Sequence, residues 1–485
     1  MCNVLGNLNP ISVFKYFEEM SNIPRGSGNE KAISDYLVDF AKNHHLEVIQ
    51  DNVLNVMIKK PATIGYENAP TVIIQGHMDM VCEKNKDTVH DFEKDPLKLR
   101  ILDDMIYATD TTLGADDGIA IAYGLALLTS DNIPHPPLEV LITVEEETGL
   151  RGAFALDPKH LQGKFLINID SEEEGQLLVS CAGGIRTTQV LPLIWEDVDK
   201  SHISYTINIS GLLGGHSGME IDKGRGNSNK LMGRILNDLS NTFDYSIKAI
   251  NGGSKTNAIP RETDAIISID PNDTVTLEEK INAWDTIFKN ELRASDKNVT
   301  VKLEKSETAS SKVFSKETMK KVIALLVLLP HGVQSMSMEI KNLVESSTNL
   351  AIVTTKDTEI TFNSSIRSSV KSLKYTILNQ AKVIANLLDC ELIESADYPE
   401  WSYDPDSKLR PLFEKVYQEK YGETPQISAT HGGLECGLFK EKNNDLDMVS
   451  LGPNMFDVHT PNEHLSISST QRTWEYLLAV LKEIK

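Results

Sequence analysis

Four short segments rich in potential metal ligands each follow an apolar run. They are Gly76-His77-Met78-Asp79 after residues 71–75, Glu145-Glu146-Glu147 after 138–144, Asp170 after 165–169, and His459 after 448–451 and a proline-containing loop. Apolar runs of this length read as buried parallel strands, and α/β sheets bind ligands just beyond the strands' carboxyl ends. Asp116 opens a small-residue helical stretch over 117–128 and supplies a further acid. Two histidines and three carboxylates, His77, Asp116, Glu147, Asp170 and His459, can therefore meet on one sheet edge. Such a set can hold two zinc ions, with Asp116 short enough to bridge them. Three carboxylates and one shared hydroxide would balance the charge of the pair, so the cluster can sit in a partly buried cleft. Asp79 is placed to accept the other N–H of His77, and Glu146 to move a proton between water and a leaving amine.

At this point the chain resembles a known family. Gly-His-Met-Asp (76–79), Gly-Ala-Asp-Asp-Gly (114–118), Thr-Val-Glu-Glu-Glu-Thr-Gly (143–149), Asn-Ile-Asp (168–170) and the late His459 look like the signature of the di-zinc exopeptidases, with their aminoacylase, carboxypeptidase and dipeptidase branches. Gly-Gly-His-Ser-Gly (214–218), Asn-Ala-Ile-Pro-Arg (257–261), Ile-Arg-Ser-Ser (366–369) and His-Gly-Gly-Leu-Glu-Cys-Gly (431–437) narrow the resemblance to the bacterial aminoacyl-histidine dipeptidases. It runs from the first helix to the last residues. It implies that His77 and Asp170 hold one metal, Glu147 and His459 the other, and that Asp116 bridges. Asp79 would orient His77 and Glu146 would be the general base. Glu145 could shift that assignment by one, but spacing to Gly149 favours Glu146 as base and Glu147 as ligand. The resemblance further implies a cis peptide bond after Asp116 and an oxyanion contact from His216 across a dimer interface. Arg367 would clamp the substrate's terminal carboxylate, helped by Asn257 and the backbone at Gly432 and Gly433.

The 485 residues exceed the reach of a single hydrophobic core, so two domains are expected. A formal net charge of −22 opposes nucleic-acid and anionic-membrane binding. Cys2, Cys82, Cys181, Cys390 and Cys436 are scattered without a C-x-x-C pair, which fits free thiols in a reducing cytoplasm. The first residues lack the pattern of a signal peptide, and the most apolar stretch, 322–330, is too short to span a bilayer. The run Glu172-Glu173-Glu174 reads as solvated surface.

The elements that must position these residues follow from periodicity. Helical spacing over 13–20 and 32–41 leads into alternating strands and helices to about 185. From residue 204 the pattern becomes α+β: strands at 205–209, 265–269 and 299–303, helices over 227–239 and 277–292, and a hairpin turning at Lys356-Asp357. The α/β pattern resumes with a helix over 405–421 and ends in an amphipathic helix from Ser469. The expected protein is thus an α/β, sheet-centred di-zinc catalytic domain (1–185 and 399–485) interrupted by an α+β lid and dimerisation domain (186–398). The implied function is cytoplasmic hydrolysis of unblocked dipeptides, Xaa-His among them, by a homodimer carrying two zinc ions, with cobalt or manganese as substitutes. A related N-acyl deacylase or carboxypeptidase, and a non-catalytic metal-binding protein, are the competing readings. Glu146 weighs against the last, because a structural site needs no base.

Overall fold

The computed structural model describes residues 4–306 and 312–485 and divides the chain into two compact units. The first comprises residues up to Ser180, Trp401–Ala429 and Leu434–Lys485; the second comprises Cys181–Glu400 and Thr430–Gly433.

The first unit is built on an eight-stranded sheet. Its centre is parallel, with Leu138–Thr143, Val72–His77, Phe165–Asn168 and Asp447–Ser450 side by side. Every residue of the first three of these strands is buried, as an uninterrupted apolar run requires when both sheet faces are covered. The edges depart from the parallel expectation. Glu47–Gln50 and Val56–Lys60 pair antiparallel on one side, and Gln176–Cys181 pairs antiparallel on the other. Helix Ala115–Thr129 is almost wholly buried, and its Gly124 lies where a Cβ would meet Val140 Cγ1 at 2.6 Å. That glycine lets helix and sheet pack closely.

Helix Leu409–Tyr421 begins four residues later than its apolar pattern suggested. The Asp447 carboxylate accepts hydrogen bonds from the backbone of Lys408 (2.6 Å) and Leu409 (2.9 Å), so the cap fixes the start beyond Pro405. The last helix, Ile467–Glu483, starts at Ser466, whose hydroxyl accepts from Ser469 N at 3.2 Å. Glu174 is not simply solvated: it makes two 2.6 Å bonds to Arg472 on that helix.

The second unit is α+β. A nine-stranded antiparallel sheet, with Val344–Thr355 and Glu359–Ser368 as its central hairpin, is packed by helices Ser228–Ser240, Thr274–Glu291, Lys316–Leu328 and Lys371–Leu387. Leu350, Phe362, Ile267 and Leu236 are among its fully buried side chains. Thr430–Gly433 joins this unit because Ala182 N donates to the carbonyls of Thr430 and Gly432, each at 3.1 Å. These four residues fall within the 399–485 segment that the sequence pattern assigns to the catalytic domain.

Cys82, Cys181, Cys390 and Cys436 form no disulfide among the described residues, and Cys2 lies outside them. Among the described residues no helix is long and apolar enough to cross a membrane.

Candidate metal centre

Four of the five candidate ligands lie at or just beyond the carboxyl ends of the central parallel strands, and Asp116 arrives at the amino end of the buried helix. His77 closes its strand, Glu147 and Asp170 follow theirs by a few residues, and His459 follows the strand Asp447–Ser450 through a loop. Asp116 presents its two oxygens to the two histidines. His77 Nε2 is 3.0 Å from Asp116 Oδ1, and His459 Nε2 is 3.1 Å from Asp116 Oδ2. Around this centre His77 Nε2 lies 3.6 Å from Asp170 Oδ1 and His459 Nε2 lies 2.8 Å from Glu147 Oε1. The peptide bond between Asp116 and Asp117 is cis.

The charges show what the donor set demands. Burial disfavours a charged His77, yet Asp116, Asp170 and Asp79 outweigh it and raise the imidazole well above its ordinary value. Contacts with Asp116 and Glu147 raise His459 to about 11. Burial would raise Asp116, but His459 and His77 hold it well below the usual carboxylate range. Asp170 is pushed up to about 6, first by burial and against the pull of His77. The cluster thus concentrates negative charge that calls for cations. Since metal ligation needs neutral imidazole, binding would release these protons. Two nitrogens and three carboxylates, one of them the two-faced Asp116, fit a pair of divalent ions.

Asp79 does more than face His77. Its Oδ1 is 3.3 Å from His77 Nδ1 and accepts from Glu146 N at 3.0 Å, while Oδ2 accepts from Ser27 Oγ at 2.8 Å and Glu147 N at 3.3 Å. One buried carboxylate therefore orients a histidine and anchors the glutamate loop. Glu30 continues that loop by accepting from Glu145 N at 3.2 Å. The Glu145 side chain itself turns to Arg151, whereas Glu146 and Glu147 group with His77 within 4.8 Å. Burial, then the charge of Asp170, raise Glu146 well above its ordinary value.

A polar chain runs under the site that apolar-run reasoning passes over. Glu435 Oε2 accepts from Gln75 Nε2 and Thr143 Oγ1, both at 2.6 Å; Gln75 Oε1 accepts from Asn168 Nδ2 at 2.6 Å; Asn168 Oδ1 accepts from Asp170 N at 3.4 Å. Burial pushes Glu435 up to about 8. The available signal was an acid inside the Gly-Gly-Leu-Glu motif and single polar residues inside otherwise apolar strands.

The remaining candidates belong to the second unit. His216 pairs with Ala258, and its Nδ1 accepts from Gly218 N (3.3 Å) and Met219 N (3.1 Å). Burial and the Arg367 charge lower its pKa, and because Nδ1 is the acceptor of these two bonds, Nε2 is the nitrogen left to carry a proton. A Cβ at Gly218 would sit 3.2 Å from His216 Cε1 and 3.3 Å from Arg367 Cζ, so these two side chains flank one glycine. Arg367 Nη1 donates to the Tyr398 hydroxyl (3.2 Å) and the His431 carbonyl (3.4 Å), and it has no carboxylate partner among the described residues. A Cβ at Gly433 would meet the Tyr398 ring at 2.7 Å. Asn257 is exposed and lines, with His216, a cleft of about 670 Å³.

Residues 73–483 match the peptidase family M20/M25/M40, and the chain belongs to that family. It is similar to the cytosol non-specific dipeptidase of Escherichia coli (strain K12), with 40% identity over 482 residues that cover 99% of each chain. It is also similar to the crystal structure of aminoacylhistidine dipeptidase from Vibrio alginolyticus, at 38% identity and a TM-score of 0.94 over 99% of this chain and 98% of that one. A tripeptidase from Staphylococcus aureus shares the fold, with 17% identity and a TM-score of 0.57 over 98% of this chain and 99% of that one.

Proposed function

We propose that the protein is a metal-dependent dipeptidase of the cytoplasm that acts on unblocked dipeptides, Xaa-His among them. The observation that carries this reading is Asp116 held between His77 and His459, one oxygen to each, with Glu146 beside the pair and available as a base. Similarity to the Escherichia coli dipeptidase over the full length supports the substrate class.

His77, Asp116 and Asp170 would hold one zinc ion, and Asp116, Glu147 and His459 the other, with cobalt or manganese as possible substitutes. When bound, the metals polarise the peptide carbonyl and lower the pKa of water so that a nucleophile exists near neutral pH. Glu146 would take the proton from the attacking water and deliver it to the leaving amine. Asp79 keeps the His77 ring oriented and keeps Glu146 in reach through its backbone N–H. Arg367, without an acidic partner among the described residues, would clamp the terminal carboxylate by its planar fork, and Asn257 and Gly433 would help to seat it. A carboxylate bound one residue beyond the scissile bond would limit substrates to dipeptides. His216, with its Nε2–H free to donate, would stabilise the developing oxyanion of the neighbouring subunit's site, and the second unit would serve as lid and dimerisation domain.

The test is a panel of dipeptides beside their N-acetyl forms, assayed after chelation and again after return of zinc. Metal-restored cleavage confined to the free dipeptides is expected. Preference for the N-acetyl forms would make the protein a deacylase, and no cleavage of either would leave only a binding role.

A further inference from the structure

Two buried charged residues hold the loop that delivers Asp116, and neither belongs to the ligand set. Arg25, just 2% exposed, lies past the end of helix Ile11–Met20. Its Nη1 donates to the carbonyls of Met78 (3.0 Å) and Asp79 (3.2 Å), and its Nη2 donates to the carbonyl of Gly114. Glu463, also 2% exposed, takes the opposite side of the same loop. Its Oε2 accepts from Leu113 N (2.7 Å) and Gly114 N (3.0 Å), and its Oε1 accepts from Ala115 N (2.8 Å). Gly114 adopts φ +65°, and a Cβ built on it or on Gly118 would come within 2.6 Å of Arg25 Nη2. The glycines thus make room for the guanidinium, and the main chain from Leu113 to Ala115 is bonded from both sides by side chains.

We infer that Arg25 and Glu463 are positioning residues for the bridging acid, a two-sided clamp that sets where the oxygens of Asp116 stand between His77 and His459. Arg25 ties the Asp116 loop to the strand end that carries His77 and Asp79. Glu463 ties the same loop to the segment that carries His459, four residues earlier in the chain. Three ligand-bearing segments are registered against one another by two side chains. Burial lowers the Arg25 pKa, and the charge of Glu463 is the first of those that oppose this.

The inference rests on the reading of the cluster as a two-metal site, so the test begins with zinc alone. Titration calorimetry of the chelator-stripped full chain should show two zinc ions bound by the wild type. Arg25→Lys keeps the charge and loses the fork that reaches carbonyls of two segments at once. Glu463→Gln keeps the shape and turns one acceptor into a donor facing backbone N–H groups. Each variant should bind one of the two ions 10–100-fold more weakly, the range seen when a partner of a ligand is removed, and kcat should fall by a similar factor with KM within threefold. Wild-type zinc affinities with kcat within twofold in either folded variant would overturn the clamp. Failure of both variants to fold would overturn it equally, since the pair would then be a folding element. A wild type that binds no zinc would remove the metal reading itself.

Discussion

Asp79→Asn is the most discriminating single change at the site because it alters one atom of a fully buried side chain. The carboxylate accepts from Ser27 Oγ, Glu146 N and Glu147 N and faces His77 Nδ1. Ser27 can rotate to accept, so the new amide NH2 should settle at the Oδ2 side, where Glu147 N–H then meets a donor and loses its partner. An unsatisfied buried N–H costs about 1–3 kcal/mol. The charge that assisted the remaining bonds is lost as well, and such bonds are roughly twice as strong as neutral ones. Together these give a destabilisation of about 2–4 kcal/mol, read as a lower midpoint in chemical unfolding of the chelated protein. On the functional side, a His77 ring without its anionic partner and a loosened Glu146–Glu147 loop should lower zinc affinity or kcat by roughly 10–100-fold. Competition against a zinc-binding dye and steady-state kinetics on one dipeptide measure both. A variant as stable as the wild type within about 0.5 kcal/mol, with kcat within threefold, would show that the distances around Asp79 do not carry the weight given to them.

Glu146→Ala should reduce kcat by about 10²–10⁴-fold while leaving two metal ions per chain by elemental analysis; loss of metal would make Glu146 a ligand, a possibility its grouping with His77 and Glu147 keeps open. Mixing inactive His216→Ala with inactive Glu146→Ala protein under subunit exchange should restore part of the activity, because one site of the heterodimer would have both groups intact. No recovery with heterodimer present would confine His216 to its own chain or remove it from the reaction. The buried His431, whose Nε2 lies 2.7 Å from Ser347 Oγ, has its pKa lowered to about 3 by burial and by Arg367. The unfolded chain takes up that proton first, near pH 6.5, so the stability is complete above pH 6.5 and is lost as pH falls toward 3, by roughly 2–3 kcal/mol at pH 4.5. His431→Asn should flatten the unfolding profile between pH 7 and 4.5, and an unchanged slope would refute the assignment.

The grouping of the candidate ligands was legible because the strands that carry them are extreme. Strands such as Val72–His77 and Leu138–Thr143 are buried on both faces, so polarity is excluded until the strand ends and the first ligand-type residue stands out against it. The second unit's hairpin at residues 356–358 was legible for the same reason of period and turn chemistry. What escaped was whatever depends on approach between distant segments. Arg25 and Glu463 sit at opposite ends of the chain, and their common purpose exists only where both reach Leu113–Ala115. Gln75 and Thr143 look like faults in apolar strands until Glu435 arrives between them. The second duty of Asp79, holding two backbone N–H groups, has no pattern that spacing could reveal.

The strand Asp447–Ser450 lies between Phe165–Asn168 and Gln176–Cys181, two neighbours in sequence that it separates in the sheet. During synthesis those two strands emerge together and must stay about 10 Å apart, two strand spacings, with one bare edge on the first and two on the second. The strand that fills the gap leaves the ribosome roughly 270 residues later, which at roughly 5–20 residues per second is a wait of about 13–55 s. Throughout that interval three hydrogen-bonding edges are open to wrong partners, because the other neighbour of Gln176–Cys181, the strand Gln426–Thr430, is also made late, and such open edges are what make incompletely folded chains prone to aggregate. The second unit is made during the same interval and closes most of its own sheet without waiting. Because His459 follows the late strand by only a short loop, it joins Asp116 and Glu147 no earlier than that strand is made.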